Sequence, residues 1–367
     1  MTDQNILPPL TQIPAYLQTV ADYEVEAQKH LSDMVWQYLQ GGSMDEHSVR
    51  DNLAQFAQIH LLPRMLKDLT QGHTAIEILG QTFPHPIFVA PIGHQQQFHP
   101  EAEAATALAA EVLGSNMILS TFSNTDMRML KQENPYKWFQ LYWQGTREKS
   151  LALVQMAEAQ HFKAIVVTID SPHTGIRDRE RRVFFHLPEG MQHPHTPTHI
   201  PLPALNQGDH PVFHGLMKIA PTWEDIAWLS EQTSLPIILK GIVNPHDAQL
   251  ALQHGVQGII VSNHGGRVLD GCIPPLTALQ LIKKVVPTDF PVLYDGGIRR
   301  GSDIFKAIAL GASAVLVGRP CIYGLATAGA LGVAHVLKIL KEEFEITMAL
   351  MGTATVSEIT TDYIFQK

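Results

Sequence analysis

The sequence predicts an α/β fold: a (β/α)8 TIM barrel with an N-terminal helical extension and a long lid loop after the fourth strand. Three observations predict it. Eight short apolar runs recur after residue 85, helix-compatible segments separate most of them, and each run is nearly continuous in apolar residues. Strands buried on both faces read this way, and parallel strands covered by crossover helices are buried on both faces.

In order, the runs are "IFVAP" (87–91), "NMILST" (116–121), "WFQLY" (138–142), "AIVVTID" (164–170), "PIILKG" (236–241), "GIIVSN" (258–263), "PVLYDG" (291–296) and "AVLVGR" (314–319). Amphipathic stretches such as "PEAEAATALAAEVLG" (100–114), "REKSLALVQMAEAQ" (147–160) and "GSDIFKAIALGA" (301–312) stand between them. A doubly wound sheet would need a glycine-rich dinucleotide turn after its first strand, and "VAPIGHQQQ" does not supply one.

Residues 1–85 read as partly helical, with "DYEVEAQKHLSDMVWQYLQGG" (22–42) ending on a glycine pair. This segment either caps the bottom of the barrel or contributes to the site. Residues 172–222 make the longest interruption, and their middle (191–211), rich in proline and histidine, predicts irregular backbone. A loop of this length inside a compact domain is a functional lid or a disordered segment. The chain, 1–367, reads as a single domain.

A hydrophobic content of 45% with 17% charged residues suits a soluble globular protein, and the formal charge of −9 argues against nucleic acid or an anionic membrane as main partner. The opening stretch lacks the basic start and apolar core of a signal peptide, and no segment reads as long enough to span a bilayer, so a cytoplasmic location is the default expectation. Cys272 and Cys321 have no partner at metal-ligand spacing and read as reduced and structural. No metal is expected: His193, His195 and His199 have no cysteine or carboxylate cluster beside them and read as part of a solvated lid.

In such barrels the chemistry sits at the carboxyl ends of the strands. Those ends carry Pro91 to Gly93, Ser120, Gln140 and Tyr142, Thr168 and Asp170, Lys240, His264 and Arg267, Asp295 to Arg299, then Gly318 and Arg319. In "DGGIRRGSD" (295–303) and "VGRP" (317–320), glycine amides and arginines stand at strands seven and eight, where this fold binds phosphate. A phosphorylated cofactor or substrate is expected there.

"LPIILKG", "GIIVSNHGGRVLDG", "DGGIRRGSDIFKAIALGA" and "VGRP", backed by "FQLYW", "TIDSP" and "FEITMALMG", occur in one order. On these motifs the chain, over residues 20–365, resembles the FMN-dependent α-hydroxy-acid oxidase and dehydrogenase family. The resemblance implies FMN as cofactor, His264 as catalytic base and Asp170 as the carboxylate that orients it. It implies Arg267, Arg177 and Tyr38 as holders of the substrate carboxylate, and Tyr142 near the substrate hydroxyl. Lys240 matches the lysine beside flavin N1. Ser120, Gln140, Thr168 and Ser262 match polar contacts to the ring or ribityl chain, and Pro91, Ile92 and Gly93 match the segment packed near N5. Asp295, Gly297 and Arg299, with Gly318 and Arg319, match the ribityl and phosphate contacts. The neighbouring Arg179, Arg181 and Arg182 read as solvated.

The chain departs from the pattern at Phe122, where some members carry tryptophan, and at His94, where an apolar or aromatic residue is usual. His94 either lines the pocket or faces a helix. Val268 replaces a frequent glutamine, and Asp270 has no role assignable from sequence. The expected activity is oxidation of an L-2-hydroxy acid, lactate- or mandelate-like, to the 2-oxo acid, with O2 reduced to hydrogen peroxide. The alternatives are a dehydrogenase using quinone or a protein acceptor, a monooxygenase that retains peroxide, and a phosphate-binding isomerase without redox chemistry. The lid lacks the continuous apolar surface of a membrane-docking loop. The resemblance also implies a homotetramer.

Overall fold

Eight parallel strands close on themselves: β1 (Ile87–Val89), β2 (Met117–Ser120), β3 (Lys137–Leu141), β4 (Ile165–Thr168), β5 (Ile237–Ile242), β6 (Gly258–Val261), β7 (Val292–Asp295) and β8 (Val315–Val317). Each falls within or within one residue of the apolar run that predicted it. The structure is a computed structural model that describes residues 6–130, 137–196, 200 and 202–366. β8 returns to β1 with Leu316 opposite Phe88, which closes the barrel.

Side chains alternate across a strand, so one residue in two points inward. Phe88, Ile118, Trp138, Val166, Ile238, Ile260, Leu293 and Leu316, one from each strand, pack together inside the barrel and are sealed from solvent. Ile78 and Phe83 join them from an antiparallel ribbon, Ile76–Ile78 with Gln81–Phe83, that closes the bottom. A second and larger core lies outside, between the strands and the helices Ala102–Leu113, Arg147–Ala159, Trp223–Gln232, Ala248-containing Pro245–Gln253, Pro275–Ile282, Gly301–Ala309 and Arg319–Met351.

The last of these helices corrects one expectation. At 33 residues it is long and apolar enough to cross a bilayer, but 78% of its most apolar window is buried within the fold. Ala328 and Gly329 break its helical backbone. Cys272 and Cys321 are free thiols.

The amino-terminal extension forms helices Val20–Ala27, Asp33–Gln40 and His47–Ala57. Within 22–42 the helix is interrupted, because Ser32 accepts a hydrogen bond from the amide of Val35 at 3.3 Å and starts a new one. The extension lies over the carboxyl ends of the strands, so of the two placements predicted it takes the one that contributes to the site. Asn52 and Asn263 exchange side-chain amide hydrogen bonds at 2.7 and 2.8 Å, and the Ser43 amide donates to the Gly266 carbonyl at 2.8 Å. A Cβ on Gly297 would stand 1.9 Å from the Asn52 carbonyl oxygen, so only glycine lets the two segments meet. Asp270 acquires a role here: its Oδ1 accepts from the Ser48 amide at 2.8 Å and holds the first turn of helix His47–Ala57.

Candidate active site

The alternation that fills the barrel also builds its upper layer. Two residues beyond each inward apolar side chain come Ala90, Ser120, Gln140, Thr168, Lys240, Ser262, Asp295 and Gly318. Six of these are polar and two are small, so the same face that packs the core opens upward into a polar cavity. That cavity measures about 390 Å³. Its lining includes Tyr38, Tyr142, Arg177, His264 and Arg267, and every predicted cofactor contact except Gln140 and Ser262. Ser262 stands just behind the wall, where it accepts from Lys240 Nζ and the His264 amide and donates to Asp295.

His264 and Asp170, 94 residues apart in the chain, meet at 2.8 Å between Nδ1 and Oδ1. Burial works to raise the Asp170 carboxyl, but the charge and hydrogen bond of His264, with the Lys240 ammonium, hold it below the usual carboxylate range. An ionised Asp170 accepts the Nδ1 proton and leaves Nε2 as the acceptor aimed at the cavity. The Tyr142 hydroxyl lies 3.4 Å from that Nε2, and burial, reinforced by the Asp170 charge, raises its pKa. His264 has φ of +57°, a left-handed conformation unusual for a non-glycine residue and found where a site holds a side chain under strain. Gly241 makes room for Asp170: a Cβ there would lie 2.4 Å from the Asp170 Cβ.

Lys240 is buried and bridges to Asp295 at 3.0 Å. Burial opposes its charge, yet the carboxylates of Asp295 and Asp170 outweigh that and raise its pKa. The ammonium is a fixed positive charge in the cavity wall.

Arg267 stacks its guanidinium over the Tyr38 ring at 4.9 Å, and that ring stacks on Phe185 at 4.4 Å. Arg177 donates from Nε to the Arg267 carbonyl at 3.2 Å. Both arginines also reach Glu180, a residue that the sequence reading passed over. The signal was present, since Arg177 and Glu180 are three apart at the start of a short helix, Asp178–Arg182, the spacing at which side chains meet. Arg179, expected to be solvated, instead pairs with Glu46 of the extension at 2.7 Å; Arg181 pairs with Asp178 at 3.8 Å and is two-thirds exposed.

The lid is also tied down where a solvated loop was expected. His195 is buried and accepts from the Met127 amide at 2.8 Å, and His193 meets the His94 ring edge to face at 4.8 Å. Each imidazole has a lowered pKa, chiefly from burial; for His94, burial with the His193 and Arg177 charges pushes it down to about 4. His94 lines the cavity and stacks on Phe122 at 5.5 Å, which decides between its two predicted placements. His199 lies outside the described residues. Among the described residues, the group whose ligand atoms lie close enough together to share an ion, Asp45, His47 and Asp270, contains none of these histidines.

The cavity wall also carries Arg299 and Arg319 together with Gly297 and Gly318. Arg319 donates to the carbonyls of Leu39, Gly265 and Gly41, and no carboxylate forms an ion pair with it or with Arg299 among the described residues. Burial, together with the nearby charges of Arg267 and Arg299, lowers its pKa to about 10. Arginines set this close, with no carboxylate in ion-pair contact, make a site suited to an anion.

The family model described as FMN-dependent dehydrogenase matches residues 27–366. The chain belongs to the FMN-dependent dehydrogenase family. An L-lactate oxidase of Roseobacter sp. (strain GAI101) is 45% identical over 352 residues, covering 94% of each chain. The spinach (Spinacia oleracea) glycolate oxidase is 39% identical, covering 94% of this chain and 95% of its own. A crystal structure of mandelate oxidase with benzoyl-formic acid superposes with a TM-score of 0.87 at 38% identity, over 95% of this chain and 98% of that one. FMN is the cofactor of the FMN-dependent dehydrogenases, and this cavity fits it. The unpaired cations with Gly297 and Gly318 suit its phosphate, and Gln140 keeps a buried Nε2 with no hydrogen bond to offer a polar ring or chain.

Proposed function

We propose that this protein oxidises an L-2-hydroxy acid of the lactate type to the 2-oxo acid, with O2 as the final acceptor and hydrogen peroxide as product. The observation that carries the reading is the convergence, in one cavity, of an imidazole held by a carboxylate at 2.8 Å and of two largely covered guanidiniums. FMN supplies the two-electron acceptor that side chains lack.

The protein's own residues do the rest. Arg177 and Arg267 receive the substrate carboxylate, with the Tyr38 ring beneath Arg267. His264 Nε2 accepts the proton of the substrate hydroxyl, and Tyr142 sets that hydroxyl by hydrogen bonding from the other side. Asp170 keeps the proton on Nδ1 and stabilises the imidazolium that results. Lys240 provides positive charge where electrons arrive. The stack of His94 and Phe122, closed by His193 from the lid, narrows the wall on the third side, which supports a short substrate side chain. The names of the relatives from Roseobacter, Alicycliphilus and Nostoc, all L-lactate oxidases, agree with this choice.

A cytoplasmic location and assembly as a homotetramer complete the proposal; sedimentation of the purified protein measures the latter. The test of the chemistry is the visible spectrum of the FMN-loaded protein under anaerobic conditions. L-lactate is expected to bleach the flavin band faster than L-mandelate, and air to restore it with one peroxide formed per lactate. Bleaching without recovery in air would turn the reading to a dehydrogenase, and no bleaching with any L-2-hydroxy acid would overturn it.

A further inference from the structure

Two guanidiniums of the cavity wall share one carboxylate. Arg267 Nη2 donates to Glu180 Oε1 at 3.1 Å, and Arg177 Nη1 donates to the same oxygen at 3.2 Å and to Oε2 at 3.5 Å. All three side chains are 14–15% exposed, so solvent screens them weakly.

The remaining donors of Arg267 and Arg177 are largely committed. Arg267 Nη1 donates to the carbonyls of Tyr38 and Gly41, each at 2.7 Å, and Arg177 Nε is used by the Arg267 carbonyl. Arg177 Nη2 has no partner among the described residues. Glu180 therefore fixes how each fork is turned and which donors are left for a ligand. It also acts on charge. Arg267 and Arg177 repel one another, and Arg319 feels Arg267 from behind. With one carboxylate between them, the two arginines present the net charge of a single cation.

We infer that Glu180 is a positioning residue that holds Arg177 and Arg267 in register and sets their combined charge at one, so that the site takes a monoanionic acid and disfavours a dianionic one. The inference rests on the proposed function for the identity of the ligand's carboxylate head. It does not depend on turnover.

Pyruvate and oxalate make the comparison, since they are similar in size and differ by one charge. Their dissociation constants are measured by calorimetry on FMN-loaded wild type, E180Q and E180D, alongside FMN content and thermal unfolding. In E180Q the pair regains its second charge, and the preference for oxalate over pyruvate is expected to rise about tenfold relative to wild type. E180D keeps the charge on a shorter arm, and is expected to weaken both ligands by a similar factor and to leave their ratio within about threefold of wild type. A merely structural Glu180 would move both ligands equally in E180Q, and that result overturns the inference. If E180Q is not recovered with FMN bound, a ratio in E180D displaced beyond about threefold does the same. Failure of wild type to bind either ligand also overturns it. Failure of L-2-hydroxy acids to bleach the flavin, with the ratios as expected, would overturn the proposed function and leave the role of Glu180 standing.

Discussion

At the scale of the residue, the site is a set of charges that burial would suppress and partners sustain. Asp170 is the plainest case, with His264 and Lys240 overcoming the cost of burial. D170N keeps the shape but offers Nδ1 an amide where it needs an anion. It is expected to lower the rate of flavin reduction by about 10³- to 10⁴-fold, by analogy with the loss seen when a serine-protease triad aspartate is made asparagine. Stopped-flow reduction by L-lactate measures it, and pyruvate affinity should change little. Lys240 and Asp295 form a second such pair. Removing one member of a buried pair leaves the other uncompensated, so K240M is expected to cost about 3 to 5 kcal/mol in denaturant unfolding, with part recovered in K240M/D295N. Both pairs involve residues already visible as polar strand ends. Glu180 was not, because "RDRERR" reads equally well as a solvated run until the lid is folded back over Arg267.

At the scale of the element, the lid and the extension carry the consequences. The lid is fastened through imidazoles that must stay neutral: His195 on the Met127 amide, and His193 against His94. Their folded-state pKa values lie below the ordinary 6.5 of an unfolded histidine, to about 4 for His94. The unfolded chain thus takes up protons before the folded one does, and stability is complete above about pH 6.5 and declines as the pH falls toward 4. The thermal midpoint is expected to fall over that interval, and H94F, which cannot protonate, should fall less steeply. Differential scanning fluorimetry across pH decides this, and an equal slope in both proteins would remove His94 from the account. The extension was legible as helical, but not as a lid on the carboxyl end. Its placement depends on Asn52 meeting Asn263, 211 residues away, and no local pattern encodes such a pairing.

At the scale of the whole molecule, two cores divide the work. The outer core joins strands to helices, while the inner one fills the barrel with one apolar side chain per strand. The inner layer sits directly beneath the polar residues of the site, so it sets their height as well as the fold's stability. I260A would open a cavity under Ser262 in a layer with no solvent access. It is expected to cost about 2 to 5 kcal/mol in chemical denaturation, with the flavin retained at ordinary temperature.

Much of this was determined by the sequence alone. The number, order and parallel character of the strands follow from apolar runs, because burial on both faces is a property of each run by itself. The polar strand ends follow from the same runs, since the point where apolar character stops is local too. Tertiary structure decided which of those ends share a cavity wall, that the extension covers the top of the barrel, that His195 of the lid is buried and bonded to the Met127 amide, and that Glu180 stands between two arginines. Each of these is a contact between segments far apart in the chain, and its energy exists only once the barrel has closed and excluded water from between them.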